Sequence, residues 1–266
     1  MAQVDSKESD QVLRNLSVIV PFAAGDLAWK DLLQDLKVLP VESEILLVGP
    51  DAPDADIFAK AKSGLVADVR YVYSPPGRGR VLNSGARASK RDYFWFLHAD
   101  SKVPRQSIFR LGFSLAQQPG SLHYFGLQFL PDGPRWMLLN SYAANLRSKH
   151  LGLPFGDQGF ALSRSTFYRL GGFREQSHLP RIVTSRTARF DLSREGVCED
   201  QSFVWEAHRK RVPLHRVPAT IFTSARRYEK VGWAKLTRSR VWSTAQQAMI
   251  EGFELLKLRA IESIRR

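Results

Sequence analysis

"YFWFLHADSKVP" (residues 93–104) decides how this chain is read. A run of aromatic and aliphatic residues suited to a buried strand leads straight into His98 and Asp100. A strand that is apolar on both faces belongs in a parallel sheet covered on both sides, and residues leaving its carboxyl end sit where open α/β sheets bind ligands. Toward the start of the chain, "LSVIVP" (16–21), "EILLVG" (44–49) and "VRYVYS" (69–74) have the same character. Between them, Leu27, Leu32, Leu33 and Leu36 are spaced for one amphipathic helix, and segments near 54–62 and 79–90 for two more. This alternation predicts βαβ units in an α/β fold with a doubly wound, mostly parallel sheet flanked by helices. The second half is less regular. "HYFGLQFL" (123–130) and "LHRVPATIF" (214–222) read as strands, "PRWMLLNSYAANLRS" (134–148) as a helix opened by Pro134, and the glycines at Gly152, Gly156, Gly159, Gly171 and Gly172 as turns. The segment 233–266 carries Trp242, Ala245, Met249, Phe253, Leu256 and Ala260 at helical spacing, with Arg and Lys on other faces. It reads as a C-terminal basic amphipathic helix or pair of helices.

The whole-chain numbers narrow the function classes. With 266 residues and 44% hydrophobic composition, there is ample material for a large core. The single cysteine, Cys198, excludes an internal disulfide framework and a multi-cysteine zinc site, and fits a reducing compartment, with the cytoplasm as the expected location. Residues 1–15 are polar and mixed in charge, with no apolar core of a secretory signal, and read as a flexible leader. No apolar run approaches the roughly 18 residues that a membrane-spanning helix needs, so any encounter with a membrane is peripheral. The net charge of +13 points to polyanionic partners. From Arg226 onward there are ten Lys/Arg against four Glu. The C-terminal helix therefore covers either its own core, a subunit partner or an anionic membrane surface. The basic residues show no regular aromatic interleaving and no nucleic-acid module. Charge alone gives salt-sensitive, nonspecific attraction, and no specific nucleic-acid partner is expected.

Several short stretches carry polar chemistry, each with a plainer alternative. Asp100 is either a turn former or a hard oxygen ligand for Mg²⁺ or Mn²⁺, and His98 a second ligand, a donor to a sugar oxygen or a satisfied core residue. "PPGRGRVLNSGARASK" (75–90) matches neither a P-loop nor a dinucleotide fingerprint; Arg78 and Arg80 either pair with phosphate oxygens at a helix start or decorate a solvated loop. "GDQGF" (156–160) sets Asp157 and Gln158 between glycines that allow close approach of a ligand. Glu199 and Asp200 begin a helical stretch, where they serve as dipole-complementing caps or supply a general base. Arg226 and Arg227 suit a diphosphate leaving group or a phospholipid surface.

In order along the chain, "GRGRVLNSGARAS", "FLHADS", "PFGDQGF", "LGGF", "CEDQSF" and "TSARRY" resemble the motifs of family-two glycosyltransferases of GT-A fold, in the branch with radical-SAM or selenium-domain neighbours. The resemblance covers roughly residues 16–235. It implies a GT-A-type, Rossmann-like domain over 16–232, with a nucleotide-binding half (16–104) and an acceptor half (105–232), followed by the helical extension. It implies that Asp100, with His98, holds a divalent metal, that Asp200 of the Glu199–Asp200 pair is the catalytic base, and that Pro21, Phe22, Asp51, Arg78, Arg80 and Asn83 lie around the nucleotide-sugar. Asp157, Gln158, Arg226 and Arg227 fall on the sugar and acceptor side. The implied reaction is metal-dependent inverting transfer of a sugar from a nucleotide-sugar to an acceptor hydroxyl.

Three departures from the family pattern keep other readings open. "VGPDAPDAD" stands where adjacent acids precede a Gly-Ser-Thr turn, which leaves Asp51 alone to meet a base. "PFAAGD" replaces a polar turn and displaces Asp26, and Arg181, Arg186, Arg189 and Arg194 crowd a long stretch before "CED". The competing readings are a noncatalytic GT-A-like binding protein with a degenerate donor site, and a basic protein that binds nucleic acid or anionic lipid. A nucleotidyltransferase is a further alternative, though it would carry a Gly-rich, Lys-containing loop after the first strand.

Overall fold

The computed structural model describes residues 6–175 and 199–264. Arg181, Arg186, Arg189, Arg194 and Cys198 lie outside the described residues. Strands β1 (Leu16–Pro21), β2 (Glu44–Gly49), β3 (Asp68–Tyr73) and β4 (Tyr93–Phe96) form the parallel half of an eight-stranded sheet. Their order is β3-β2-β1-β4, so β1 has neighbours reached by crossovers in opposite directions and marks a switch point. The crossover helices are α2 (Trp29–Asp35), α3 (Ala55–Ala61) and α4 (Arg78–Ala88), close to the expected spans.

The second half of the sheet is mixed. β6 (Leu122–Phe129), β7 (Ala161–Ser163), β8 (Leu214–Thr223) and the two-residue β5 (Ser101–Lys102) complete the order as β4-β7-β6-β8-β5. β7 runs antiparallel to both β4 and β6, whereas β6 and β8 are parallel. Its helices are α5 (Arg105–Gln117), α6 (Met137–Leu151), α7 (Arg164–Leu170), α8 (Glu199–Arg209), α9 (Arg226–Val231) and α10 (Trp233–Ile264).

The period-two alternation of the strands divides the core between the two faces of the sheet. On β1, Val18 and Val20 join Trp29, Leu32 and Ile108 on one side, while Ile19 joins Leu46, Leu82 and Phe96 on the other. On β4, Trp95 packs with the first group and Phe94 and Phe96 with the second. The second face holds an aromatic cluster beneath the carboxyl edge: Phe173 stacks on Phe203 with centroids 4.4 Å apart and meets Phe96 edge-on at 5.0 Å.

Two helices depart from the sequence expectations. Residues 6–14, expected within a flexible leader, form helix α1 (Ser6–Arg14) and bury Val12 and Leu13. Its backbone comes so close to α5 that a methyl group on Gly112 would lie 2.6 Å from Ser9 Oγ. Two apolar residues are too faint a periodic signal, yet they suffice on one face of a short helix against a prepared neighbour. Helix α10 extends over 32 residues with the opposite orientation to a core-covering stripe. Trp242, Met249 and Phe253 are exposed, whereas Gln247 and Glu251 are buried. Gln247 donates to Ser202 Oγ of α8 at 2.9 Å, and Glu251 pairs with Arg174 (3.2 Å) and Arg209. The polar face found partners on α8 and on the segment after α7. Among the described residues, no helix is long and apolar enough to cross a membrane.

Candidate active site

The carboxyl edge at the switch point gathers the chemistry. β4 stays registered beside β1 through the amide of Leu97, which donates to the Ile19 carbonyl at 3.0 Å. His98, Ala99 and Asp100 then leave the sheet in a turn closed by the Ser101 amide on the His98 carbonyl (3.0 Å). The start of α4 brings Arg78, the start of α8 brings Glu199 and Asp200, and a single 3-10 turn, Gly156–Gln158, brings Asp157. A narrow cavity of about 10 Å³ lies there, lined by the polar Arg78, His98 and Asp200 and by the apolar Leu82, Phe96 and Phe173.

Arg78 is the hub. Its guanidinium pairs with Glu199, donates to Asp200 Oδ2 at 3.1 Å and contacts His98 Nε2. Arginine has no acceptor, so His98 accepts at Nε2 and carries its proton on Nδ1. Burial, reinforced by the Arg78 and Arg240 cations, holds His98 well below its ordinary value, and the ring is neutral at physiological pH. Asp200 also accepts from the Gly156 amide at 3.2 Å. That approach requires glycine, because a Cβ at 156 would lie 2.3 Å from Asp200 Oδ2.

Burial raises three of the acids. Burial, then the neighbouring Asp200 charge, raises Glu199 from 4.5 to about 7 against the opposing pull of Arg78. Burial also raises Asp157, with Arg147 and Arg240 opposing and Asp200 adding to the rise. Its Oδ1 is buried with no hydrogen-bond partner. Asp100 is raised by burial, with Asp26 and Asp157 adding repulsion and Arg226 opposing it. Asp100 thus lies within electrostatic reach of both Asp26 and Asp157.

Other residues singled out in the sequence occupy different positions. Asn83 is buried and pins the turn after α7: Nδ2 donates to the Phe173 carbonyl (2.8 Å) and Glu175 (3.0 Å), and Oδ1 accepts from the Phe173 amide (2.9 Å). Gln158 is equally engaged, donating to the Phe125 carbonyl (2.9 Å) and Ser148 (3.1 Å) and accepting from the Phe155 amide (3.1 Å). Arg80 pairs with Glu175 at 3.6 Å. Phe22 is buried beside Trp29 and Tyr71, Pro21 is half-buried at the end of β1, and Asp51 is exposed beyond β2. Arg226 and Arg227 are exposed at the start of α9, where Arg226 donates to Ser224 at 2.9 Å. Arg147 and Arg240, which the sequence reading passed over, both act on Asp157. Neither has a local signal, since each is one basic residue among many on a helix.

Solved structures share this fold. TarS from S. aureus superposes with a TM-score of 0.55 over 79% of this chain and 37% of its own, at 16% identity. The chain has a GT-A fold. A mannosyltransferase from Pyrobaculum calidifontis in complex with GDP-Man and Mn²⁺ gives 0.54 over 78% of this chain and 56% of its own, at 13% identity. GalNAc-T7 with UDP, GalNAc and Mn²⁺ gives 0.55 over 80% and 44%, at 14% identity. The chain thus spans between 37 and 56% of the length of these neighbours. No family model matches the chain, and no curated protein matches it.

Proposed function

We propose that this chain is a metal-dependent inverting glycosyltransferase of the family-two type, in the branch with radical-SAM or selenium-domain neighbours, which moves a sugar from a nucleotide-sugar to an acceptor hydroxyl. The meeting of Arg78, His98, Glu199 and Asp200 carries this reading. They come from three motifs separated by up to 122 positions and converge at the ligand edge of a GT-A fold.

A divalent ion, Mn²⁺ or Mg²⁺, fits the carboxylate side of the site. The orphaned Asp157 oxygen and the repulsion of Asp100 by Asp26 and Asp157 are what a cation would relieve. Among the described residues no three His, Cys, Asp or Glu side chains form a complete cage. These ions usually keep only one or two carboxylates and take further oxygens from substrate phosphates. Asp100 and Asp157 would hold the ion; His98, the other expected ligand, gives its Nε2 to Arg78 in this arrangement. The ion would offset negative charge on the departing diphosphate.

The chain's own residues supply the proton chemistry. Asp200, oriented by the Gly156 amide, takes the proton from the acceptor hydroxyl as that oxygen bonds to the anomeric carbon and the bond to the diphosphate oxygen breaks. Glu199, raised to about 7, keeps a second full charge away from Asp200. Arg78 lies across the pocket, and its withdrawal toward the donor phosphates frees Asp200 for the acceptor. The test measures nucleoside diphosphate released from nucleotide-sugars with water as acceptor. Asp200→Asn should lower turnover by roughly 10²–10⁴ with donor affinity and circular dichroism preserved. Unchanged turnover in that variant would remove Asp200 from its assigned role.

A further inference from the structure

Helices α6 and α10 each turn their apolar stripe outward. Eleven of the seventeen exposed large hydrophobic side chains among the described residues fall within 136–151 and 231–253. On α6, Leu138, Leu139, Tyr142 and Leu146 share one face and are 78, 54, 68 and 46% exposed, while the small or polar Ser141, Ala144 and Ser148 are buried on the other. On α10, Trp242 (66%), Met249 (74%) and Phe253 (62%) follow one another at helical spacing, opposite the buried Gln247 and Glu251. Both helices are joined near their amino ends, where Trp136 packs against Trp233 at 5.9 Å and Asn140 bonds both Trp233 Nε1 (3.0 Å) and Thr237 Oγ1 (3.1 Å).

Charge selects the occupant. No Asp or Glu occurs in residues 133–156 or 230–250. By helical spacing Lys149 lies at one end of the α6 stripe, Arg135 sits just before the helix beside Trp136, and on α10 Arg238 shares the stripe of Trp242; all three are exposed. A second copy of such a face would bring like charges together. A bilayer offers anionic headgroups to the cations and an apolar layer to the leucines, and Trp and Tyr favour the boundary between them.

We propose that the outward faces of α6 and α10 form a docking surface for an anionic lipid bilayer. The inference stands independently of the proposed reaction. It also orients the site, because Arg240, on the inward side of α10, lies within electrostatic reach of His98 and of Asp157. Docking sets that helix between the bilayer and the carboxylate cluster.

The test uses the full chain in flotation with vesicles of phosphatidylcholine alone, or of equal parts phosphatidylcholine and phosphatidylglycerol. The chain should float with the anionic vesicles and remain behind with the neutral ones. Leu138→Ser with Leu146→Ser, and separately Trp242→Ser with Met249→Ser, should each lower partitioning roughly tenfold or more. Arg135→Glu with Lys149→Glu should do the same. All of these side chains are exposed, so melting temperatures should stay near that of the wild type. Absence of flotation with anionic vesicles overturns the proposal. So does partitioning that the charge variants lose and both apolar variants keep, which would be simple polycation adsorption. A dimer in light scattering that the apolar variants dissociate, without any vesicle binding, would assign the face to a second copy instead.

Discussion

Arg78 ties the site together, pairing with Glu199 and Asp200 and contacting His98. Glu199 and Asp200 are adjacent, with side chains only 16 and 7% exposed, and two such carboxylates ionise together only with a cation between them. Glu199 therefore makes folding depend on pH. Its folded value, about 7, lies above the ordinary 4.5, so its contribution to stability is fully present below the ordinary value and is lost as pH rises through about 7. Wild-type melting temperature should fall between about pH 5 and 7 by more than that of Glu199→Gln, whose amide does not titrate. Parallel pH profiles for the two proteins would show that Glu199 ionises normally. The motif residues His98, Asp100, Glu199 and Asp200 were legible because each follows a strand end or opens a helix, a local signal. The pairing of Arg78 with the acids was not, because its partners lie 121 and 122 positions away.

At the scale of elements, α4 is fastened to the turn after α7 by one side chain. Asn83 reaches 90 positions along the chain to satisfy both the amide and the carbonyl of Phe173, the residue that stacks on Phe203 beneath the site. Its buried hydrogen bonds pin that turn, and donor binding tests the nucleotide contact that its sequence motif implied. Asn83→Ala should cost about 2–3 kcal/mol in urea unfolding, by leaving two backbone groups unpaired, and should leave donor affinity nearly unchanged. A large loss of donor affinity at unchanged stability would restore the nucleotide contact. Helix α10 teaches a similar lesson. Its periodic stripe was visible, but which face turns inward depends on Ser202, Arg174 and Arg209, whose placement only the assembled fold provides. Short elements such as β5 and β7, two and three residues long, carry too little pattern to be read at all.

Across the whole molecule, the parallel half was the legible half. Four apolar runs separated by helical stretches announce a doubly wound, mostly parallel sheet, while the order β3-β2-β1-β4 comes from the structure. The mixed half depends on β7 entering between β4 and β6, a long-range insertion that local pattern does not encode. The basic charge was equally plain, and the fold sorts it into two roles: cations that balance the buried acids of the site, and cations that border the exposed stripes of α6 and α10. Joint binding of a divalent ion and a nucleotide-sugar on the carboxylate side of this edge is the step on which the proposed reaction rests. It is tested most directly by thermal shift with UDP-, GDP-, CMP- and dTDP-sugars, each with Mn²⁺, Mg²⁺ or chelator, on wild type and Asp100→Ala. The account predicts a metal-dependent rise in melting temperature for one nucleotide class, abolished by chelator and by Asp100→Ala. No rise with any donor and metal, or a rise that survives Asp100→Ala, would contradict it.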